Sequence, residues 1–96
     1  MDTYVIIRRG GWQTAEDLEA AAARSSAVGD SEMSDDIRWI RSYVVKEEDG
    51  SLGTVCIYQA SSEEKIREHA QRADLPVTEV IPSGGTVVVR PDPDTA

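Results

Sequence analysis

The sequence predicts an α+β domain with the ferredoxin-like order β-α-β-β-α-β, in which two helices lie on one face of an antiparallel sheet. Two observations lead to this prediction. Segments with β-strand character and segments with helical spacing follow one another in that order along the chain. At 96 residues, the chain is also long enough for one domain, but its core must be thin. We therefore expect a single domain over residues 1–96, with an extra C-terminal strand over 86–90 and a loose tail over 91–96.

The first half of the chain predicts a strand followed by a helix. Residues 3–9 are β-prone and apolar in the middle, and we expect Gly10 to end this strand. Thr14, with Asp17 three residues later, resembles a capping box and predicts where the helix begins. The inward stripe of the helix consists mostly of small residues, so the helix can lie close to a sheet. That stripe comprises Leu18, Ala21, Ala22, Ser25 and Val28.

The second half of the chain predicts a hairpin, a second helix and a closing strand. Residues 37–46 and 54–60 have strand character, and the Asp49-Gly50 pair between them is typical of a tight turn. Ser61 with Glu64 resembles a capping box and predicts a helix that runs to about Ala73. Residues 77–81 predict the fourth strand.

Strand periodicity predicts a candidate pocket. Trp39, Arg41 and Tyr43 alternate with other residues, so we expect them to share one face of the second strand. Cys56 and Tyr58 join them in one of the two possible registers, which the sequence leaves open. Such a surface could hold a small anionic or aromatic ligand; alternatively, it could be a packing surface. The candidate ligand-binding residues are Arg8, Trp39, Arg41, Tyr43 and Tyr58.

Composition and charge exclude several classes of partner. The formal net charge is −8, so we expect no nucleic-acid partner. No apolar segment approaches the length of a membrane span and no export signal is present, so we expect neither membrane association nor secretion. A single cysteine cannot form an intramolecular disulfide, and a cytoplasmic setting follows as the default. One sheet face would lack a covering layer, which predicts a homodimer that packs face to face.

The metal-ligand signal within one chain is weak. A transition-metal site usually takes three or four protein ligands, and the chain has one histidine and one cysteine without a paired spacing. His69 falls at the edge of the second helix's packed stripe, where a structural role is more common than acid–base chemistry. Cys56 lies in the middle of a strand, where inert packing is expected.

Several short motifs resemble a small bacterial family of unknown function that is described as nickel-binding or nickel-responsive. They are Trp39 with Ser42-Tyr43-Val44, Cys-x-Tyr-x-Ala at 56–60, Glu-Glu-x-x-Arg-Glu-His-Ala at 63–70, and Pro76 with Thr78-Glu79-Val80. The resemblance implies a ferredoxin-like fold, a homodimer, a possible nickel cofactor and matched positions at Cys56, Tyr58 and His69. Cys56 and His69 are the candidate metal ligands. The chain departs from the family at Arg41, where the family often has histidine. A guanidinium does not ligate metal ions, so this position cannot supply the ligand that a histidine would.

Taken together, these patterns favour a small cytoplasmic, dimeric binding protein for nickel or a small anionic ligand. The first alternative is a small enzyme of the dimeric α/β-barrel kind that uses a pocket histidine or tyrosine as acid–base. The second alternative is a structural interaction module. We favour binding over catalysis, because no pattern in the sequence defines a reaction.

Overall fold

The computed structural model describes residues 1–93 and confirms the ferredoxin-like α+β fold. All strand pairs are antiparallel, and the sheet order is β2-β3-β1-β4. A five-residue π-helical segment, Val28–Glu32, continues directly from the first helix. The elements are β1 (Asp2–Trp12), α1 (Ala15–Ala27), β2 (Ile37–Lys46), β3 (Leu52–Ala60), α2 (Glu63–Ala73) and β4 (Glu79–Pro82).

Side-chain caps fix the start of both helices. The Thr14 hydroxyl accepts a hydrogen bond from the Asp17 amide at 3.1 Å, as the sequence predicts. The cap of α2 lies one residue later than predicted, because Ser62 accepts from the Lys65 amide while Ser61 bonds to Asp36 instead. Each cap satisfies one of the first-turn amide groups that have no partner within the helix.

Strand β1 extends further than predicted. Gly10 has a φ of 54°, a conformation that glycine adopts at little cost, and the pairing with β3 shifts between Arg8 and Trp12. Because this bulge bends the strand without ending it, Trp12 pairs with Leu52 and is 8% exposed. The prediction that the strand ends at Gly10 is therefore wrong, and the bulge adds an aromatic side chain to the helix side of the molecule.

The two faces of the sheet differ in how completely they are covered. We call the face that packs against α1 and α2 the helix-side face and the opposite one the open face. The open face is apolar but only partly covered, because no helix or strand of residues 1–93 forms a second layer on it. Its half-buried or exposed residues are Val5, Ile7, Val55, Ile57, Tyr43 and Ile81. The buried core on the helix-side face includes Tyr4, Ile6, Ile37, Tyr58, Ile66 and Ala73.

The predicted strand over residues 86–90 does not form. Its three consecutive valines are exposed, with Val88 at 71% and the flanking Val87 and Val89 higher. A β-prone segment becomes a strand only where it finds a pairing edge and a surface to pack on, and residues 1–93 offer this segment neither. Of the predicted loose tail, Asp92 instead contacts β2, and residues 94–96 lie outside the described part of the chain.

Candidate functional site

The most unusual side chain on the helix-side face is that of Arg8. It is 2% exposed, although arginine is almost never fully buried without a charged partner. Its Nη1 atom donates to the carbonyl oxygen of Pro76 at 2.8 Å. Its Nη2 atom is buried and has no hydrogen-bond partner among the described residues. No carboxylate of residues 1–93 forms an ion pair with it. Its Cζ atom lies 6.0 Å from the centroid of the Tyr58 ring, a weak cation–π contact, so the buried charge has no anionic partner among the described residues.

The segment around Pro76 holds Arg8 in place. A side-chain Cβ at Gly11 would lie 2.7 Å from the Pro76 ring, so only glycine lets the two backbones approach this closely. The close approach brings the Pro76 carbonyl to the Arg8 guanidinium. Because this contact fixes Nη1, Nη2 is the end of the guanidinium that stays available.

A small cavity lies beside Arg8, between α1 and the sheet. It measures about 40 Å³, and a single water needs roughly 10–15 Å³ by the same measure, so the space is that of a few waters or a small ion. Arg8 is the only Asp, Glu, Lys, Arg or His side chain in its wall. The wall consists of Arg8, Trp12, Ala21, Ala22, Ser25, Trp39, Ser42, Thr54, Cys56, Tyr58 and Leu75.

Tyr58 joins the cavity to both helices through Ser25. The Tyr58 hydroxyl and the Ser25 hydroxyl are 2.7 Å apart and buried. His69 Nε2 lies 3.0 Å from the backbone carbonyl oxygen of Ser25. Since a carbonyl oxygen can only accept, this ring nitrogen carries the hydrogen. Tyr58 and His69 therefore do not bond to each other directly, although their rings lie 5.4 Å apart.

Burial sets the protonation states of these two groups. Burial raises the pKa of the Tyr58 hydroxyl, although its bond to Ser25 and the nearby Arg8 oppose the rise. Burial also lowers the pKa of His69, and the positive charge of Arg8 lowers it further against the opposing effect of the Ser25 carbonyl. Both groups are consequently neutral near pH 7, which leaves Arg8 as the charge at the cavity.

The structure divides the predicted ligand-binding residues between the two faces. Strand β2 has a bulge at Ile40, because its pairing with β3 shifts between Trp39 and Arg41. The extra residue reverses the alternation, so Trp39 lies on the helix-side face while Arg41 and Tyr43 lie on the open face. The prediction that these three residues share a face is therefore wrong, because the sheet separates Trp39 from Arg41 and Tyr43.

On the helix-side face, Trp39 completes the wall near Tyr58. Their rings stack with centroids 6.0 Å apart and planes 7° apart. The Trp39 indole N–H donates to the Ser42 hydroxyl at 2.8 Å. Of the predicted ligand-binding residues, Arg8, Trp39 and Tyr58 therefore line one cavity.

On the open face, Arg41 and Tyr43 contact the chain's own C-terminal segment. Arg41 Nε lies 3.1 Å from one carboxylate oxygen of Asp92. The Tyr43 hydroxyl donates to the other at 2.6 Å. In this chain the two residues share the carboxylate of Asp92, and their predicted role in binding a separate ligand stays a prediction.

The candidate metal ligands do not form a metal site within one described chain. Both Cys56 and His69 are buried, and His69 Nε2 is occupied by its bond to the Ser25 carbonyl. The Cys56 thiol lies 3.2 Å from the Thr54 hydroxyl and donates to it. Within residues 1–93, no group of three or more His, Cys, Asp or Glu side chains could hold a metal ion. The donors of one described chain therefore do not fit a resident nickel ion.

Several cavity residues were missing from the sequence-based site. Ser25 could have been predicted as a site residue from the sequence, because it is the one polar residue in the small-residue stripe of α1. Trp12 could not be placed without the Gly10 bulge, and Thr54 and Ser42 could not be placed without the strand register.

Fold and site together define a small ferredoxin-like α+β protein with a buried cation beside a cavity under α1. A family model described as nickel responsive protein SCO4226-like matches residues 4–82, and the chain belongs to this family. Among solved structures, the chain is similar to the crystal structure of SCO4226 from Streptomyces coelicolor A3(2). The two share 16% identity with a TM-score of 0.68, over 88% of this chain and 99% of that one. At this identity the likeness concerns the fold, and no curated protein matches the chain.

Proposed function

We propose that this chain is a small binding protein whose cavity beside Arg8 receives a small anion. The observation that supports this proposal is the buried Nη2 atom of Arg8, which has no partner among the described residues. A guanidinium keeps its charge at every physiological pH, so it cannot avoid the cost of burial by losing a proton. An anion beside Nη2 would supply both the missing hydrogen bond and the missing charge.

The energetics favour a ligand over a purely structural role. An unpaired buried charge costs several kcal/mol even after the surroundings relax. One hydrogen bond to a neutral carbonyl recovers about 1–3 kcal/mol of such a cost. A structural arginine at this position would be expected to have a carboxylate partner, as Arg41 has in Asp92. A purely structural module would leave the Arg8 charge with one carbonyl oxygen and the Tyr58 ring face, 6.0 Å away, and with no anion among the described residues.

The enzyme alternative has less support. The two groups proposed as acid–base, Tyr58 and His69, each bond to Ser25 and not to a group poised for proton exchange. Burial raises the pKa of Tyr58 and lowers the pKa of His69, so neither hydroxyl nor imidazole changes its protonation readily at neutral pH. We therefore favour binding without chemistry.

The family's description as nickel responsive supports a second hypothesis. Because the donors of one described chain do not fit nickel, this hypothesis requires ligands from a second copy or from outside residues 1–93. Calorimetric titration with nickel tests it in the wild type and in the Cys56→Ala and His69→Ala variants. Binding that both substitutions leave unchanged would refute a site at these residues.

The anion hypothesis is tested by thermal unfolding with acetate or nitrate at constant ionic strength, in a carboxylate-free buffer. A ligand that binds only the folded state stabilises it by about 2.7 kcal/mol at 100 times its Kd. We expect both anions to raise the Tm of the wild type and of Arg41→Met, which removes the guanidinium on the open face. Arg8→Met should show no such rise.

The apoprotein provides the decisive comparison. Arg8→Met removes an uncompensated charge but also leaves the Pro76 carbonyl without its donor, so the two effects oppose each other. We expect the variant without anion to be within about 1 kcal/mol of the wild type. A loss of 3 kcal/mol or more would be typical of a structural arginine with a needed charge partner, and it would overturn the proposal.

The homodimer and the cytoplasmic setting predicted from the sequence are part of this proposal. The apolar open face would gain from being covered by the same face of a second copy. No helix among residues 1–93 has the length and apolar character to cross a membrane. A reducing compartment would suit the single buried cysteine, Cys56.

A further inference from the structure

We propose that the anion received at Arg8 is a short aliphatic monocarboxylate, of about two or three carbons by the size of the cavity. This inference rests on the proposed function and specifies its ligand. It follows from three properties of the cavity: a single compensating charge, uncommitted hydroxyl donors beside it, and an apolar wall opposite.

The charge balance favours a monoanion. Arg8 contributes one positive charge, and no lysine, histidine or second arginine lines the cavity. A monoanion neutralises this charge, whereas a dianion would leave a net negative charge beside Arg8 with no second cation in the wall to balance it. The chain already has a formal net charge of −8, which adds to the cost of a dianion. Sulfate and the dianionic form of phosphate are therefore disfavoured.

The polar side of the cavity is suited to carboxylate oxygens. Arg8 and Thr54 are paired across β1 and β3, and both line the cavity, so a hydroxyl stands in the same wall as the guanidinium. The Thr54 hydroxyl accepts from the Cys56 thiol, which leaves its own hydrogen free to donate. The Ser42 hydroxyl accepts from the Trp39 indole and likewise keeps a hydrogen to donate. One carboxylate group could accept from Nη2 with one oxygen and from a hydroxyl with the other.

The opposite side of the cavity is apolar. Two small residues of α1, Ala21 and Ala22, leave the space open, and Leu75 closes it from the segment after α2. The indole rings of Trp12 and Trp39 provide further apolar surface. An inorganic anion would leave this wall without a contact, while the methyl or ethyl group of a short carboxylate would cover it. The volume of about 40 Å³ corresponds to roughly three waters and suits acetate or propionate.

Four probes test the inference by isothermal calorimetry: propionate, its neutral amide, nitrate and sulfate. Burying two carbons of propionate against the wall should make its Kd at least about tenfold lower than that of nitrate. Propionamide should show no measurable binding because it carries no charge. Sulfate should bind more weakly than nitrate.

Two matched pairs of variants locate the two ends of the ligand. Arg8→Met should abolish binding of propionate and nitrate, and Arg41→Met should leave both unchanged. Ala22→Leu should fill the apolar end and weaken propionate at least about tenfold while nitrate changes less than twofold. Ala23→Leu, at the neighbouring exposed position of α1, is the control and should change neither.

The outcomes separate the two proposals. If no probe binds the wild type, or if Arg8→Met does not affect binding, both the proposed anion-binding function and the monocarboxylate assignment are wrong. If nitrate or sulfate binds as tightly as propionate, the anion site stands and the monocarboxylate assignment is wrong. If Ala22→Leu weakens nitrate as much as propionate, the apolar wall does not select the ligand, and the assignment is again wrong.

Discussion

Arg8 and Arg41 are both arginines on strands of one sheet, but the two faces give them opposite properties. Arg41 has 47% of its side chain exposed and pairs with Asp92, whose carboxylate is equally exposed. Arg8 is 2% exposed and has no carboxylate partner among the described residues. In water the cost of an unpaired charge is small, while in the interior it amounts to several kcal/mol. Burial, more than residue type, therefore distinguishes Arg8, which we propose to bind an anion, from Arg41.

The same contrast extends to the apolar residues of the two faces. On β1, Ile6 is 0% exposed and packs in the core, while its neighbours Val5 and Ile7 on the open face are half-buried. The helices thus bury the central strands on one face, while no second layer of residues 1–93 covers the other. Substitutions at matched positions on the two faces measure this difference.

The largest effect is expected for Ile6→Ala. Removing a fully buried isoleucine side chain from a core costs about 2–5 kcal/mol. Ile57→Ala on the open face removes a side chain that the single chain only half-buries, so we expect about 1 kcal/mol or less in a monomer. Urea denaturation gives both free energies of unfolding. Equal losses at low protein concentration would contradict the difference between the two faces.

The open-face variant also tests the homodimer. If a second copy covers this face, Ile57→Lys should convert a dimer into a monomer, because a charge would be buried without a partner. Sedimentation analysis of the wild type and the variant measures the change. A wild type that is monomeric at all concentrations, or a variant that remains dimeric, would refute dimerisation through the open face.

Tyr58 and Tyr43 provide the next comparison, since each tyrosine hydroxyl makes one short hydrogen bond on its own face. Tyr58→Phe leaves the buried Ser25 hydroxyl without its partner, which should cost about 1–3 kcal/mol. Tyr43→Phe exposes its partner to water, and we expect a change of about 0.5 kcal/mol or less. The two free energies of unfolding are compared in the same buffer.

The double variant Ser25→Ala with Tyr58→Phe tests whether the loss of stability comes from the unsatisfied Ser25 hydroxyl. When both partners are removed, no hydroxyl is left unsatisfied, so part of the loss should be recovered in the double variant. Additive losses would show that the Tyr58 and Ser25 hydroxyls do not depend on each other.

Sequence periodicity predicted the fold because each helix and strand is several residues long and follows its own repeat. It placed Arg8, Cys56 and Tyr58 correctly relative to one another once the register of β1 and β3 was known. It failed at Ile40, where one extra residue in β2 moves Arg41 and Tyr43 to the other face. A bulge leaves no trace in the apolar pattern, since it depends on how the neighbouring strand pairs.

The predicted strand over 86–90 failed for a related reason. Three valines in a row have high β-propensity, but propensity describes how well a residue fits a paired and partly buried surface. The segment lies beyond residue 82, where the match to the family model ends. The cavity shows the same limit, because Trp12 and Ser25 enter it only through tertiary packing.

His69 should make a smaller contribution to the free energy of unfolding, and this contribution should depend on pH. Burial holds the pKa of its imidazole below the ordinary 6.5. At pH values just under 6.5, His69 is therefore protonated more in the unfolded chain than in the folded chain. The free energy of unfolding should therefore be highest above pH 6.5 and fall as the pH is lowered through 6.5 towards the folded-state pKa. Urea denaturation between pH 7.5 and 5.5 measures the decrease.

The control for this effect is His69→Gln, whose amide can still donate to the Ser25 carbonyl but does not titrate. Since the chain contains one histidine, the difference in slope between wild type and variant belongs to His69 alone. Carboxylates contribute equally to both proteins and cancel in the comparison. Parallel pH profiles would contradict a depressed pKa at His69.

The smallest effect on stability is expected at Asp92, where the tail meets the open face. Exposed ion pairs contribute about 0–1 kcal/mol, so Asp92→Asn should change the free energy of unfolding by no more than that. The hydrogen bond to Asp92 nevertheless raises the pKa of the Tyr43 hydroxyl, with burial and the negative charge adding to it and Arg41 opposing it. Asp92→Asn should lower this pKa towards 10, which tyrosinate absorbance at 295 nm measures against a Tyr43→Phe reference. If the Tyr43 titration does not move, the tail does not hold its carboxylate at β2 in solution, and Arg41 stands on the open face without the partner that distinguishes it from Arg8.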